Sequence, residues 1–210
     1  MALSSHAALA AVDAVRQHFA ERLAPGKESA PVAAELEHIL ALLADVDFSK
    51  ADEKHLQASG HPVIRHLQQV GVSAKDNEVL AAFLPHLDAL PWRYSYETRA
   101  DAPDIGERMA WAELVGPIAP FKSEKVCIGL TAIGPGLLYP AHYHPAVETY
   151  LVLFGTARWT AEGITREHPP GTLILHPSNI IHAMQASDEP LLAAYAWTGD
   201  VETLSAYAEQ

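Results

Sequence analysis

The chain has 210 residues, about half of them hydrophobic (49%), which is enough for one substantial core with a smaller helical companion. Acidic residues outnumber basic ones by 26 to 14, and the formal charge of −12 argues against a nucleic-acid partner, which needs a basic patch. No apolar stretch approaches the roughly 20 residues of a membrane span, and the N-terminus lacks the basic start of a signal peptide. We therefore expect a cytoplasmic location and neither a nucleic-acid nor a membrane partner.

The first 90 residues carry helical patterns, in which apolar side chains recur every three or four positions. Helices are predicted over residues 5–23, 31–46, 61–70 and 75–90. The second helix has an apolar stripe formed by Leu36, Ile39, Leu40 and Leu43. This stripe fits a face that covers a barrel and a dimer interface equally well, so a homodimer stays open at this point.

The pattern changes at Pro91, after which short alternating runs are separated by turns rich in glycine and proline. Strands are predicted over residues 92–96, 109–115, 126–133, 149–153, 157–161, 172–175 and 191–198. Many short strands with regular turns favour an antiparallel sandwich or barrel. The sequence thus predicts an all-α region over 1–90, a β-barrel over 91–200, and a short helix or tail over 201–210.

A cluster of metal-ligand residue types lies between residues 142 and 148. On a strand, alternate residues share a face, so His142 and His144 are expected to point the same way. Glu148 and Tyr150 are again two apart and can project into the same cavity from the next strand. Because the one cysteine, Cys127, lies in an apolar run, a sulfur-based zinc site is excluded. Two imidazoles and a carboxylate suit zinc, iron, manganese or nickel, with coordination positions left open.

Two linked motifs extend this cluster. The first is Gly136-x5-His142-x-His144-x3-Glu148-x6-Gly155. The second, fifteen residues further on, is Gly171-x5-Pro177-x-Asn179-x2-His182. Together they resemble the two motifs of the cupin family. That resemblance implies a mainly β fold, a double-stranded β-helix or jelly-roll barrel, and one divalent metal bound by His142, His144, Glu148 and His182. Asn179 replaces the usual glycine, and asparagine is the next-best residue where a positive φ is needed.

Tyr150 is the candidate for chemistry beside the metal. It lies two positions past Glu148 and therefore on the same strand face. A nearby divalent cation stabilises a phenolate, so Tyr150 could act as a base near neutral pH. From spacing alone, an aromatic that simply packs the barrel interior is an equally good interpretation.

Residues from about 90 to 200 also resemble the cupin-type dimethylsulfoniopropionate (DMSP) lyases of marine bacteria. The matching segments are Tyr139-Pro-Ala-His142-x-His144-Pro-Ala-x-Glu148-x-Tyr150, His176-Pro-Ser-x-x-x-His182-Ala-Met184 and Asp188-Glu-Pro-Leu-Leu. The resemblance implies a small zwitterionic substrate with a carboxylate at one end and a sulfonium at the other. It also implies β-elimination to dimethyl sulfide and acrylate, with Tyr150 as the catalytic base.

The sulfonium needs a binding site, and aromatic faces attract such cations. We expect Tyr139 to contact the substrate, and we add Trp92 and Tyr94, which lie on a lid-like segment before the barrel. His176 is expected to pack near the ligands rather than to bind the metal. Other aromatic candidates in the barrel half are Tyr96, Trp111, Trp159, Tyr195 and Trp197.

Two alternatives to a DMSP lyase stay open. One is another enzyme on the same metal centre, either a lyase for a different small carboxylate or an iron dioxygenase. The other is a cupin that binds a ligand without catalysis. Oxygen consumption separates the dioxygenase from a lyase, because β-elimination needs no oxidant.

Overall fold

The structure is a computed structural model that describes residues 2–72, 77–97, 100 and 102–208. Two helices open the chain, α1 (Ser5–Arg22) and α2 (Ala30–Ala44). The first begins where the side chain of Ser4 accepts a hydrogen bond from the Ala7 amide at 3.1 Å, which satisfies one of the free amides of the first turn. The second has Pro31 in its first turn, where the missing amide costs nothing. Both predicted helices are confirmed within two residues at each end.

The shorter helical segments form tighter turns than the sequence pattern predicts. Among the described residues, the 3₁₀ helices Glu53–Leu56, Pro62–Val72 and Leu84–Ala89 are interspersed with two short α-helices, α3 (Glu78–Phe83) and, just before the first strand, α4 (Ile105–Arg108). The first residues of the predicted helix 75–90 lie outside the described part of the chain.

Within the described residues, eleven strands form two sheets that enclose a barrel. The strands are β1 (Met109–Gly116), β2 (Phe121–Lys122), β3 (Val126–Ile133), β4 (Leu138–Tyr143), β5 (Val147–Phe154), β6 (Ala157–Ala161), β7 (Ile164–His168), β8 (Leu173–His176), β9 (His182–Ala186), β10 (Leu191–Thr198) and β11 (Ala206–Tyr207). One sheet has the order β2-β1-β3-β10-β5-β8 and the other β11-β4-β9-β6-β7. From β3 onwards the chain passes back and forth between the two sheets, which gives the predicted jelly-roll arrangement.

Two predicted elements need correction. The segment 92–96 is not a strand, because its pairing with β1 is limited to an isolated bridge between Arg93 and Trp111. The short helix or tail predicted over 201–210 instead contains strand β11, which pairs with β4 and places Tyr207 opposite His142. The sequence analysis also missed β2, β7 and β9.

One hydrophobic core joins the helices to the outer face of the larger sheet. Phe19 of α1 and Ile39 of α2 belong to the same cluster of buried side chains as Leu130 and Leu192 of strands β3 and β10. The predicted stripe of α2 is used here, since Leu36, Ile39 and Leu43 are fully buried against the barrel. A second cluster fills the barrel interior. The division at residue 90 and the homodimer both stay predictions.

None of the helices in the described part of the chain combines the length and the apolar character needed to cross a bilayer.

The shared core predicts that the helices contribute to the stability of the barrel. Replacing the buried Ile39 by alanine should lower the free energy of unfolding by about 2–5 kcal/mol, because a cavity opens between α2 and the sheet. The control is Ile164→Ala, since Ile164 is 51% exposed and its loss should cost at most about 1 kcal/mol. Urea unfolding followed by circular dichroism measures both. Equal costs for the two variants would show that α2 packs only loosely on the barrel.

Candidate metal centre

Three buried histidines converge inside the barrel. His142 lies on β4 and His182 begins β9, and these two residues are directly opposite each other in the antiparallel pair. His144 follows β4 by one residue. Each ring offers one nitrogen, and these nitrogens all lie within 4.8 Å of one another, so the three could hold a metal ion. The strand alternation predicted for His142 and His144 therefore brings both rings into the barrel.

Backbone carbonyls fix the orientation of all three rings. The Nδ1 atom of His142 lies 2.8 Å from the Pro140 carbonyl oxygen, and those of His144 and His182 lie 3.0 Å from the carbonyl oxygens of Ala146 and Ile180. A carbonyl accepts only, so each Nδ1 carries the proton and donates. The three Nε2 atoms face the interior, and in a neutral ring each presents its lone pair there, which is the arrangement that metal-binding histidines need. Nε2 of His144 also donates to Glu148 when that ring is protonated.

Glu148, on β5, places its carboxylate beside two of these rings. Its Oε2 lies 3.0 Å from Nε2 of His144 and 3.3 Å from Nε2 of His182. Its Oε1 accepts a hydrogen bond of 2.6 Å from the indole Nε1 of Trp197. Burial raises the pKa of Glu148, but the neighbouring His144, which also forms a hydrogen bond with it, and His182 outweigh burial and hold that pKa well below its usual value. The site thus contains a carboxylate that stays ionised.

The donor set fits a divalent cation on two further observations. Burial, together with the neighbouring His182, lowers the pKa of His142 well below its usual value, so this ring is neutral and free to donate its lone pair. His182 Nε2 is buried, and despite its approach to Glu148 it has no hydrogen bond of acceptable geometry among the described residues. A buried nitrogen without a partner is costly unless a ligand takes its lone pair. Burial opposes protonation of His144, yet Glu148 raises its pKa overall.

The second motif holds the loop beside this cluster. Asn179 has a φ of 61°, as predicted from its place where cupins have glycine. Its amide donates to the His144 carbonyl oxygen at 2.8 Å, which ties the loop before β9 to the end of β4. This backbone hydrogen bond links the two segments that carry two of the three histidines.

The cluster opens into one cavity of about 490 Å³. Tyr150, which is only 3% exposed, lines it next to Glu148. Thr131 lines the same cavity. Burial first, and then the negative charge of Glu148, raise the pKa of the Tyr150 phenol well above its usual value. The protein alone therefore holds Tyr150 in its neutral form.

Tyr139 lines the same cavity and lies flat on His142, with ring centroids 3.7 Å apart and an angle of 16° between the planes. Its hydroxyl bonds to that of Tyr96, another residue of the cavity wall. Burial raises the pKa of Tyr96 to about 12, so this pair of phenols is uncharged. The structure thus places Tyr139 in the wall of the cavity, and its contact with substrate stays a prediction.

The other two predicted substrate residues are not part of the cavity wall. Trp92 is 1% exposed in the core between helices and barrel, where its indole Nε1 donates to the Leu87 carbonyl oxygen at 2.7 Å. This placement corrects the prediction for Trp92, which failed because the segment turns inward before it reaches the barrel. Tyr94 lies one ring away, packed against Tyr96 with centroids 5.5 Å apart.

Sequence reasoning missed the role of Trp197 and placed His176 only in general terms. Trp197, on β10, is directly opposite Glu148 and also lies over the His144 ring at 4.3 Å. The alternation of Tyr195 and Trp197 was a usable signal, because it puts both on the interior face. His176 stacks on His182 with centroids 4.1 Å apart, and burial, followed by the neighbouring His182, lowers the pKa of His176 to about 3. A packing role for His176 agrees with this contact.

The two sheets and the enclosed histidine cluster define a cupin with a candidate metal centre. Comparison with known proteins places it more narrowly, since residues 37–193 match the model of the dimethylsulfoniopropionate lyase family. The chain belongs to this family.

Two curated relatives are each 35% identical to the chain. One is the dimethylsulfoniopropionate lyase DddQ of Ruegeria pomeroyi, matched over 127 residues that cover 58% of this chain and 61% of the relative. The other is a putative dimethylsulfoniopropionate lyase, DddL, of Cereibacter sphaeroides, matched over 118 residues that cover 55% and 49%. The chain thus spans between about half and three fifths of the length of these relatives.

Two solved structures are similar over almost their whole length. One belongs to the crystal structures of the DMSP lyases RdDddP and RnDddQII, with a TM-score of 0.77, 26% identity, and coverage of 98% of this chain and 100% of that one. The other is DddQ from Ruegeria pomeroyi, with a TM-score of 0.71, 25% identity, and coverage of 95% and 96%. These likenesses include the helical half as well as the barrel.

Loss of one histidine should abolish tight metal binding. In His142→Ala the affinity for Zn²⁺ should fall by at least about 100-fold, because even outer residues of metal sites contribute ten- to 100-fold. Metal content after reconstitution and dialysis, measured by mass spectrometry, tests this. His38→Ala is the control, since the His38 side chain is 53% exposed on α2. A His142→Ala protein that keeps one metal per chain would remove this cluster as the binding site.

The indole hydrogen bond to Glu148 should tune metal affinity. Trp197→Phe keeps an aromatic ring over His144 but removes the donor, and metal affinity should fall by about ten- to 100-fold. Trp92→Phe is the matched control, because it also removes a buried indole hydrogen bond, but outside the cavity. Competition with a fluorescent zinc chelator measures both. An equal effect of the two variants would mean that general destabilisation, and not the bond to Glu148, lowers the affinity.

Proposed function

We propose that this protein is a metal-dependent carbon–sulfur lyase that cleaves dimethylsulfoniopropionate by β-elimination into dimethyl sulfide and acrylate. The observation that carries the proposal is the position of Tyr150, which lines the same cavity as Glu148, His142 and His144. Membership of the DMSP lyase family supports the substrate.

His142, His144, Glu148 and His182 are the proposed ligands of one divalent transition metal. Their nitrogen and oxygen donors suit zinc, iron, manganese or nickel, and the residues do not discriminate among these. The three histidines are the ones whose Nε2 atoms face inward, and Glu148 is the ionised carboxylate between two of them. When bound, the metal would accept the substrate carboxylate, acidify the adjacent CH₂ group and lower the phenol pKa of Tyr150.

Tyr150 is the proposed base. As phenolate it removes a proton from the carbon next to the carboxylate, and the electron pair of that C–H bond becomes the C=C bond of acrylate. The C–S electron pair leaves with sulfur, so the cationic sulfonium departs as neutral dimethyl sulfide. The proton taken up by Tyr150 then passes to solvent, which balances the reaction as zwitterion to acrylate anion, dimethyl sulfide and one proton.

Tyr139 is the proposed contact for the substrate beside the metal. Its ring covers His142 and its hydroxyl is held by Tyr96, so its position is fixed before a ligand arrives. Tyr94 packs against Tyr96. A direct contact of Tyr94 with substrate stays a prediction. The cytoplasmic location also stays one.

Tyr150→Phe should lower the rate of dimethyl sulfide release from dimethylsulfoniopropionate by at least about 100-fold, because the base is lost. Metal content should be unchanged, since the phenol is not a proposed ligand. The matched control is Tyr143→Phe, whose side chain is 38% exposed and should be dispensable. Gas chromatography of the headspace measures the product.

Full turnover by metal-loaded Tyr150→Phe would assign the base to another group. No release by metal-loaded wild type would favour the alternatives, a different cupin enzyme for a small carboxylate or a ligand-binding cupin. An oxygen electrode decides whether an iron dioxygenase is among them, because the proposed reaction consumes no oxygen.

A further inference from the structure

A buried acid lies in the cavity at the end away from the histidines. Glu113, on β1, is 8% exposed and lines the cavity. Its Oε1 accepts a hydrogen bond from the Ile118 amide at a long 3.4 Å, and the Cys127 thiol is a further hydrogen-bonding partner. Within the described part of the chain, no cation lies within the 4 Å of an ion pair with this carboxylate. These two weak partners do not compensate for burying a charge.

The register of the sheet fixes where this acid lies relative to the base. Glu113 is opposite Gly129, which is opposite Tyr195, which in turn is opposite Tyr150. These four positions form one row across β1, β3, β10 and β5 on the interior face. Gly129 has no side chain, and the Tyr195 ring takes that space, since a Cβ at Gly129 would lie 2.6 Å from its Cε1 atom. One tyrosine therefore separates Glu113 from Tyr150.

The charges that act on the Tyr195 phenol agree with its place in this row. Burial raises the pKa of the Tyr195 phenol, and the negative charges of Glu113 and, more weakly, Glu148 raise it further. Tyr195 is thus in the field of both acids. Three strand spacings of about 4.8 Å each separate Glu113 from Tyr150 along the sheet, and both side chains line the same cavity.

The cavity wall between the two acids is mainly aromatic and includes the side chains of Trp111, Tyr195 and Trp197. Aromatic faces and a carboxylate attract a cation that has no N–H donors of its own, such as a sulfonium or quaternary ammonium group. Burial raises the pKa of Glu113 overall, and Arg93, which also lies at this end, opposes that rise. One of its guanidinium nitrogens donates to the Ile118 carbonyl oxygen at 3.4 Å, beyond the acid. Arg93 therefore favours the ionised form of Glu113 without forming an ion pair with it.

We propose that Glu113 is the counter-charge for the cationic end of the ligand and makes the cavity selective for onium carboxylates over carboxylates of the same shape with an uncharged end. The inference rests on the proposed function only in placing the carboxylate end of the ligand at the metal centre. It assigns Glu113 to substrate discrimination, and it does not involve Glu113 in proton removal.

Two unreactive ligands that differ by one charge test this. They are 3-(trimethylammonio)propanoate and its neutral carbon isostere, 4,4-dimethylpentanoate. Titration calorimetry on the metal-loaded full chain gives the preference for the charged ligand as a ratio of affinities. Wild type should prefer the onium, and Glu113→Gln should reduce this preference about tenfold, as expected for losing one nearby charge in a site of intermediate dielectric. Glutamine keeps the shape and an acceptor for the Ile118 amide.

Glu189→Gln is the control for net charge, because it also removes one acid but at an exposed position. It should leave the preference unchanged. If wild type binds both ligands equally, or neither, the proposal is wrong whatever the variant does, so the test survives a Glu113→Gln protein that does not fold. An equal loss for both ligands in Glu113→Gln would mean that Glu113 only supports the turn at Ile118.

The two proposals fail in different ways. A normal onium preference that depends on Glu113, without dimethyl sulfide release from dimethylsulfoniopropionate, would support this inference and reject the lyase. Dimethyl sulfide release without such a preference would support the lyase and reject the role of Glu113.

Discussion

Three hydrogen bonds from imidazole Nδ1 atoms to backbone carbonyls are the constraint on which the site depends. They orient the rings of His142, His144 and His182 so that the opposite nitrogens face one another in the barrel. The same neighbouring rings keep Glu148 ionised in a place where burial alone would favour its neutral form. Because the accepting carbonyls belong to strand ends and tight loops, the precision of the centre comes from the fold itself. Side-chain packing, such as His176 on His182, adds to it.

The two acidic groups at the metal centre, Glu148 and Tyr150, differ in protonation: the first is ionised and the second is neutral. Glu148 is ionised, yet its charge and burial together keep Tyr150 protonated as long as only protein groups are considered. A phenolate next to a carboxylate is unfavourable, so additional positive charge is required before Tyr150 can act as a base. In the proposed mechanism reactivity therefore depends on the bound cation, because without it Tyr150 is held in its neutral form. Burial also raises the pKa values of Tyr139 and Tyr96.

Much of this could be predicted from the sequence, because the key residues are close together along the chain. His142, His144, Glu148 and Tyr150 lie on two consecutive strands, where a period of two decides which side chains share a face. Glu113 and Trp197 could not be placed in this way, since their positions depend on the register among strands that are distant in sequence. Strand β7 was missed because its side chains are mostly exposed, which leaves no alternation to detect. The prediction for Trp92 failed for the opposite reason. Its segment alternates as a strand does, but it leaves the sheet after one bridge.

The core shared between helices and barrel has a consequence for how the molecule can be divided. The outer face of the larger sheet is apolar, and α1 and α2 cover it with side chains such as Phe19 and Ile39. A barrel cut free at residue 90 would expose that face to water, where apolar surfaces of this size associate with one another. The barrel half is therefore not an independent module, although it contains every proposed metal ligand. The helical half covers an apolar face that the barrel alone would expose to water.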